Sequence, residues 1–304
     1  AGDRAKKGFD VTVFEALHEI GGVLKYGIPE FRLPNAIVDV EIENLQKMGV
    51  KFITDCIVGK TISVKNLEEQ GFRGFFIGSG AGLPNFMNIP GENALNIMSS
   101  NEYLTRVNLM DAANPHSDTP INLGKKVVVV GGGNTAMDSC RTAKRLGAEV
   151  TLVYRRSEAE MPARLEEVKH AKEEGINFMT LHNPKEYEAD EKGAVKAVVL
   201  DVMQLGEPDA SGRRRPEATG ETITLECDQV IVAVGVSPNP LVPQSIEGLE
   251  LGRKNTIAVN DQMQSSIEEI YAGGDIVRGG ATVILAMGDG RKAALNMSEK
   301  LLKK

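Results

Sequence analysis

Tryptophan is absent from this 304-residue chain, aromatic residues make up 5% of it, and it carries three cysteines and four histidines. No apolar run approaches the ~18 residues of a membrane-crossing helix, which excludes a helical membrane protein. A formal net charge of −7 provides no basic field for a polyanion, and the shortage of aromatics removes the usual base-stacking platform. Nucleic acid is therefore not an expected partner. Cys56, Cys140 and Cys227 lie far apart and form no Cys-x-x-Cys pair. That spacing excludes a disulfide framework, a zinc or iron–sulfur site and a thioredoxin-type dithiol, and leaves reduced packing residues. His18, His116, His170 and His182 show no i, i+4 spacing, so no metal site is expected. The opening Ala1-Gly2-Asp3-Arg4-Ala5-Lys6-Lys7 leads into no signal-peptide core, and a cytoplasmic location is expected.

Glycine, by contrast, is plentiful at 32 of 304 residues, above the ~7% of average usage and without a collagen-like period. Short β-branched runs alternate with polar-apolar stretches, the pattern of a parallel sheet covered by helices. The runs occupy residues 11–14, 75–77, 127–130, 150–153, 197–200 and 230–234, most of them bounded by Gly or charge as buried strands are. Polar, Pro-bearing breaks at 111–120 and 235–240 isolate 116–244 as a unit inserted into a domain made of 1–115 and 245–304. The length allows each domain a core of its own. Gly8-Phe9-Asp10-Val11-Thr12-Val13-Phe14 recurs 139 residues on as Gly147-Ala148-Glu149-Val150-Thr151-Leu152-Val153. A strand and a glycine loop precede the later copy. The equivalent positions of the earlier copy fall before Ala1, so a truncated N-terminus, lacking that strand and loop, is expected.

Gly131-x-Gly133-x-x-Ala136 follows the four-valine run and opens a predicted helix over 134–146. Gly131 permits the tight turn, Gly133 lets a pyrophosphate approach backbone N–H groups, and Ala136 lets the helix pack on the strand. Asn134 and Thr135 begin that helix, whose positive end favours a diphosphate. The next strand ends in Tyr154-Arg155-Arg156-Ser157, where an NAD site would place an acid on the ribose 2′-hydroxyl. Arg155 and Arg156 suit a 2′-phosphate instead, and NADPH is the expected nucleotide. In the earlier copy the matching strand ends in Glu15, an acid suited to a ribose hydroxyl. Gly78-Ser79-Gly80-Ala81 and Ala272-Gly273-Gly274-Asp275 add two strand-end glycine turns, the second ahead of a helix that opens around Ala281 and Thr282. Together they fit a second dinucleotide. Arg213-Arg214-Arg215, between Gly212 and Pro216, reads as the solvated tip of a hairpin, and 158–174 as a charged surface helix with Glu→Lys pairs.

Taken in order, several stretches resemble the small (beta) subunit of NADPH-dependent glutamate synthase. They are Glu15, then Gly21-Gly22-Val23-Leu24-Lys25-Tyr26-Gly27-Ile28-Pro29-Glu30-Phe31-Arg32-Leu33-Pro34, then Gly131 to Asp138, then Arg155-Arg156-Ser157-Glu158-Ala159-Glu160-Met161-Pro162-Ala163, then Gly274-Asp275. They are equally similar to the related flavin subunits of ferredoxin:NADP oxidoreductases and sulfide dehydrogenases, and the likeness spans essentially the whole chain. It implies an α/β fold of two Rossmann-like dinucleotide-binding domains with ββα-type parallel sheets, the NADPH domain inserted in the FAD domain. It assigns Glu15, Gly21, Gly22, Gly80, Asp275 and Thr282 to FAD, puts Leu24, Arg32 and Leu33 near the flavin, and puts Gly235 near the nicotinamide half of NADPH. In family members a cysteine-rich region with iron–sulfur clusters and then an FAD glycine loop come first, so iron–sulfur clusters are expected only in that region or in a partner.

Hydride transfer from a nicotinamide to a flavin needs no nucleophile or general acid from the protein, which suits a sequence offering phosphate cradles and no catalytic triad. The resemblance implies hydride passing from NADPH to FAD and electrons passing on through iron–sulfur clusters. The acceptor is then a large subunit that makes glutamate from glutamine and 2-oxoglutarate, or another electron-acceptor protein, as in NADPH:ferredoxin and sulfide oxidoreductases. A second expectation stays open: a truncated module that binds nucleotide without turnover.

Overall fold

The computed structural model describes residues 1–210 and 212–302. The chain divides into two compact units, the first made of Ala1–Leu24, Pro34–Leu83 and Val236–Lys304, the second of Lys25–Leu33 and Pro84–Gly235. In its first passage the chain forms β1 (Thr12–Phe14), α1 (Asn35–Lys47), β2 (Lys51–Ile53), α2 (Val64–Glu69) and β3 (Phe75–Ile77). β1 pairs in parallel with β2. Helix α2 starts where Ser63 and Asn66 cap one another's backbone amides, which satisfies two otherwise orphaned donors.

The second unit begins with β4 (Ile97–Ser99), α3 (Ser100–Leu104), β5 (Lys126–Val130), α4 (Asn134–Arg145) and β6 (Glu149–Tyr154). It continues through α5 (Leu165–Glu173), β7 (Asn177–Thr180), β8 (His182–Ala189), β9 (Val195–Pro208), β10 (Arg214–Glu226) and β11 (Gln229–Val232). Five strands make a parallel sheet in the order β4-β11-β5-β6-β7, while β8, β9 and β10 form an antiparallel meander. The four-valine run sits at the centre because side chains alternate along a strand. Val127 and Val129 pack with Ala136, Met137 and Cys140 of α4, and Val128 and Val130 with Tyr187, Val198 and Leu200 of the meander. With both faces covered, the run has no reason to alternate with polar residues.

Three sequence expectations look different in this unit. Residues 197–200 belong to β9, antiparallel to both its neighbours, and not to the parallel sheet; a short buried apolar run carries no signal of strand direction. Residues 158–174 do not form one helix. A 3₁₀ turn at Glu158–Glu160 is followed by extended Met161 (φ −66°, ψ 130°), and α5 starts only at Leu165, because Pro162 removes a donor and forces the residue before it out of the helical region. The divides between units fall at 24/25, 33/34, 83/84 and 235/236; the last lies within the Pro-bearing break at 235–240, whereas the expected bounds are 115/116 and 244/245. Residues ahead of the first break side with the second unit because β4 pairs with β11.

The last passage returns to the first unit with β12 (Ile270–Ala272), α6 (Asp275–Arg278) and α7 (Val283–Leu302). β12 pairs in parallel with β3, and Ile77, Ile257, Ile270, Ala272 and Ile276 form the core there. α7 packs through Ala293 and Met297 on Tyr271. Cys56, Cys140 and Cys227 are free and buried; burial pushes the thiols of Cys140 and Cys227 up, the latter to about 12. Among the described residues no helix is long and apolar enough to cross a membrane, and no cluster of His, Cys, Asp and Glu suits a metal ion.

Candidate nucleotide-binding site

In the second unit β5 runs out at Val130 into Gly131-Gly132-Gly133; the fold has room for no side chain at the first two, while the third is left open. Gly131 has φ +143°, and a β-carbon on it would sit 2.2 Å from the Ala233 carbonyl oxygen. A β-carbon on Gly132 would lie 2.6 Å from the Tyr154 ring. Nothing stands within 4 Å of the place a Gly133 β-carbon would take. Gly133 is the N-cap of α4, and no side chain caps the helix. The first intrahelical bond runs from the Met137 N–H to the Gly133 carbonyl, 3.1 Å, so the first-turn amides remain for an outside acceptor. Thr135 is exposed on that turn and Ala136 is wholly buried against the sheet. Bare backbone, open space and an uncapped helix start fit the pyrophosphate of a dinucleotide.

The parallel pairing of β5, β6 and β11 puts their C-terminal ends on one sheet edge, where open α/β sheets bind ligands. Gly131, Arg155 and Gly235 follow those three ends; Gly235 has φ +104° and accepts the Asn85 amide at 3.0 Å. The arginine pair is split. Arg155 is exposed, while Arg156 is only 7% exposed and its Nε has no hydrogen-bond partner among the described residues. A buried guanidinium N–H left unsatisfied is costly, and it marks a place for an acceptor from a ligand. The segment after it is laced to the glycine loop: the Ala163 amide donates to the Gly132 carbonyl at 3.1 Å and the Arg164 amide to Asn134 Oδ1 at 2.9 Å.

Arg32 and Leu33 lie in the stretch that belongs to the second unit. Arg32 Nη1 donates to both oxygens of Asp138, at 2.8 and 2.7 Å, and its Nε reaches Glu167 at 3.1 Å. Arg141 donates to Glu167 at 2.8 Å and to Glu174 at 3.0 Å. The Phe31 ring lies under the guanidinium groups of Arg141 and Arg145, 4.6 and 4.1 Å from their central carbons. These contacts tie residues 31 and 32 to α4 and α5. Burial pushes the Asp138 carboxyl up from 3.8 to about 6, against the pull of Arg32. An acid whose pKa is higher folded than unfolded stabilises the fold while protonated and loses that contribution as pH rises. Compared with Asp138→Asn by urea denaturation, the wild type is expected to lose stability between about pH 4 and about pH 6 and to run level above. A difference that ignores pH across that window would show that the carboxyl is not buried in this way.

In the first unit Glu15 follows β1, and its Oε1 accepts the Leu17 amide at 3.0 Å, leaving Oε2 without a partner among the described residues. Gly21 and Gly22 have φ +139° and +53°, and Gly80, after β3, has φ +69° with open space beside it. Leu24 is half-buried. β12 ends beside β3 and leads through Gly274 to Asp275, whose Oδ1 accepts the Ala281 amide at 2.8 Å. The Thr282 hydroxyl accepts the Leu285 amide at 3.4 Å as α7 begins. Asp289 holds this corner: it accepts the Gly274 amide at 3.0 Å and Nε and Nη2 of Arg278 at 2.7 Å each. The Arg278 guanidinium accordingly keeps the Asp289 carboxyl below its ordinary range. Gly80 and Asp275 thus share one strand-end edge, and Glu15 ends the other parallel pair of the unit. An acid with a spare oxygen and two open glycine turns fit the ribose and backbone contacts of a second dinucleotide.

Sequence reasoning missed Gly132, Tyr154, Glu160 and the Arg32–Asp138 link. Of these only Ser157-x-x-Glu160 carried a local signal, the capping-box spacing that the 3₁₀ turn indeed uses.

A family model described as pyridine nucleotide-disulphide oxidoreductase matches residues 2–290, and the chain belongs to that family. Its relatives include the beta subunit of an NADP(+)-dependent formate dehydrogenase of Moorella thermoacetica, 39% identical over 98% of this chain and 41% of that one. A chain provisionally named glutamate synthase (NADPH) small chain, from Cereibacter sphaeroides, is 36% identical over 97% of this chain and 72% of its own length. The beta subunit of an NADPH-Fe(3+) oxidoreductase of Geobacter sulfurreducens is 36% identical over 95% and 46%. The chain therefore spans less than half of two of these three relatives. Among solved structures, FprA of Mycobacterium tuberculosis superposes with a TM-score of 0.80 at 20% identity over 97% of this chain and 78% of that one. Thioredoxin reductase of T. acidophilum gives 0.73 at 19% over 99% and 93%. The fold expected from the resemblance and the kinship with glutamate synthase small chains and related beta subunits both stand.

Proposed function

We propose that this chain is the nucleotide- and flavin-binding part of an NADPH-dependent oxidoreductase subunit, with NADPH on the second unit and FAD on the first. The observation that carries the reading is the uncapped start of α4 behind Gly131-Gly132-Gly133, with buried Arg156 and its unpartnered Nε at the end of the neighbouring strand. Gly131, Gly133, Asn134 and Thr135 hold the pyrophosphate of NADPH at the helix start that buried Ala136 packs on the sheet, Arg155 and Arg156 its 2′-phosphate, and Gly235 its nicotinamide half. Glu15, Gly21, Gly22, Leu24, Gly80, Asp275 and Thr282 serve FAD, with Arg32 and Leu33 near the flavin. When both are bound, the nicotinamide supplies a hydride and the flavin accepts it. The residues of the chain orient and enclose the two groups, which is the protein's part in cofactor chemistry. Relatives named for NADP(+) and NADPH support the choice of nucleotide. A partner protein would be the electron acceptor, and residues of that partner or residues beyond this sequence would hold the iron–sulfur clusters; glutamate formation by a large subunit is the version supported by one relative's name.

The test is a titration of the full-length protein with NADPH and NADH. Saturable binding of NADPH, with NADH weaker, is expected. Replacing Arg155 and Arg156 together by Ala should weaken NADPH by at least about tenfold and leave NADH unchanged. Equal losses for both nucleotides, or no saturable binding, defeat the reading. A flavin band that NADPH bleaches supports turnover, and a colourless protein that binds NADPH supports the non-catalytic module.

A further inference from the structure

The β9–β10 hairpin has 14 and 13 residues in its strands and ends in Arg213-Arg214-Arg215. Its composition predicts a tip standing in solvent, and Gly212, Arg213 and Arg215 are exposed there, but Arg214 also reaches back to the body of the unit. Arg214 Nε donates to Glu160 Oε1 at 3.1 Å. The other oxygen of Glu160 takes the Ser157 amide and hydroxyl at 3.2 and 3.0 Å, and the Glu160 carbonyl takes the Tyr154 hydroxyl at 2.9 Å. One acidic residue therefore fastens the hairpin to the segment that begins immediately after Arg155 and Arg156. Further back, the Met203 amide donates to the Leu181 carbonyl at 2.8 Å, and the Leu181 amide to the Arg156 carbonyl at 3.0 Å. The hairpin is thus tied to the Arg156 strand end at two levels.

Arg213 is the next residue to the pinned Arg214. Its amide is fixed by Asp209 Oδ1 at 3.0 Å, while its side chain is exposed and has no ion-pair partner among the described residues. Burial pushes the Tyr154 phenol up, against the nearby charges of Arg156, Arg155 and Arg213. Arg155 and Arg156 follow Tyr154 directly in the chain, Arg213 adjoins the Arg214 that pairs with Glu160, and the Glu160 carbonyl takes the Tyr154 hydroxyl, so the three arginines border one small region whose acid is already engaged. One of the three, Arg156, is more than nine-tenths buried and carries an unsatisfied N–H. Assembled cations short of counter-charge, with a buried donor among them, call for an anion rich in acceptor oxygens.

We propose that the tip of the β9–β10 hairpin forms one wall of the 2′-phosphate pocket, with Arg213 as a specificity-determining residue opposite Arg155 and Arg156, and with the Glu160–Arg214 pair setting its position. The proposal rests on the NADPH reading and deepens it: preference for a phosphorylated ribose comes from the hairpin as well as from the strand end.

The experiment measures binding of adenosine 2′,5′-bisphosphate and of 5′-AMP to the full-length protein by calorimetry, which isolates the adenosine end from the nicotinamide and from any flavin. Arg213→Ala should weaken the bisphosphate by about tenfold and leave 5′-AMP unchanged, with Arg213→Lys in between, because Lys keeps the charge and loses the fork. If Arg213→Ala binds the bisphosphate as the wild type does while the wild type still prefers it over 5′-AMP, the hairpin proposal fails and the NADPH reading survives. Equal weakening of both ligands also overturns the proposal, since it marks a structural role. A wild type that does not distinguish the two ligands overturns both.

Discussion

Gly131→Ala is expected to abolish nucleotide binding and to destabilise the second unit by about 3 kcal/mol or more. The new β-carbon would fall 2.2 Å from a backbone oxygen, that of Ala233, at φ +143°. Neither the contact nor the dihedral relaxes by a side-chain rotation. Relief requires the chain after β11 to move off β5, yet the Ala233 amide donates to the Val130 carbonyl at 2.7 Å, one residue before the substituted glycine. Gly133→Ala is the control. Its φ of −92° is ordinary and no protein atom lies within 4 Å of the added carbon, so stability should change by less than about 1 kcal/mol while a ligand at the helix start is obstructed. Thermal melts and NADPH titrations of the two variants separate the outcomes. A Gly131→Ala protein that melts with the wild type rules out the close-approach account.

Arg32→Ala should cost about 3 kcal/mol at pH 8 and much less at pH 5. The side chain of Asp138 is 6% exposed and that of Arg32 20%. Removing the guanidinium leaves a buried carboxylate with Glu167 still repelling it and only Arg141 attracting it. Its folded pKa, already raised to about 6 with Arg32 in place, then rises further above the unfolded value, so the penalty is full at high pH and relieved as the acid protonates on lowering pH. Arg32→Ala combined with Asp138→Asn should recover most of the loss at pH 8. Urea denaturation at the two pH values decides; equal losses at both would assign the effect to the arginine stem and its packing.

The parts of the site that could be read in advance are those made within a few residues of chain. Val127 to Ala136 spells strand, turn and helix locally, and the structure builds β5, the loop and α4 from it. Arg32 and Asp138 are 106 positions apart, and nothing in either neighbourhood announces the other. A triplet of arginines beside a Gly and a Pro has the composition of any solvated turn; only the fold carries it back to Glu160, 54 residues earlier. The same limit governs the boundary between units. Prolines at 115 and 120 mark irregular backbone, but which unit a stretch joins depends on strand pairing, here β4 with β11.

The buried thiols have a use unrelated to redox chemistry. Cys56 belongs to the first unit, Cys140 and Cys227 to the second, and a thiol reacts with an alkylating agent only once it is both exposed and ionised. Labelling each cysteine over time, read by mass spectrometry of its peptide, therefore times the opening of each unit in the unaltered protein. A nucleotide that steadies one unit alone is reported by the thiols of that unit, so the chain carries its own pair of clocks.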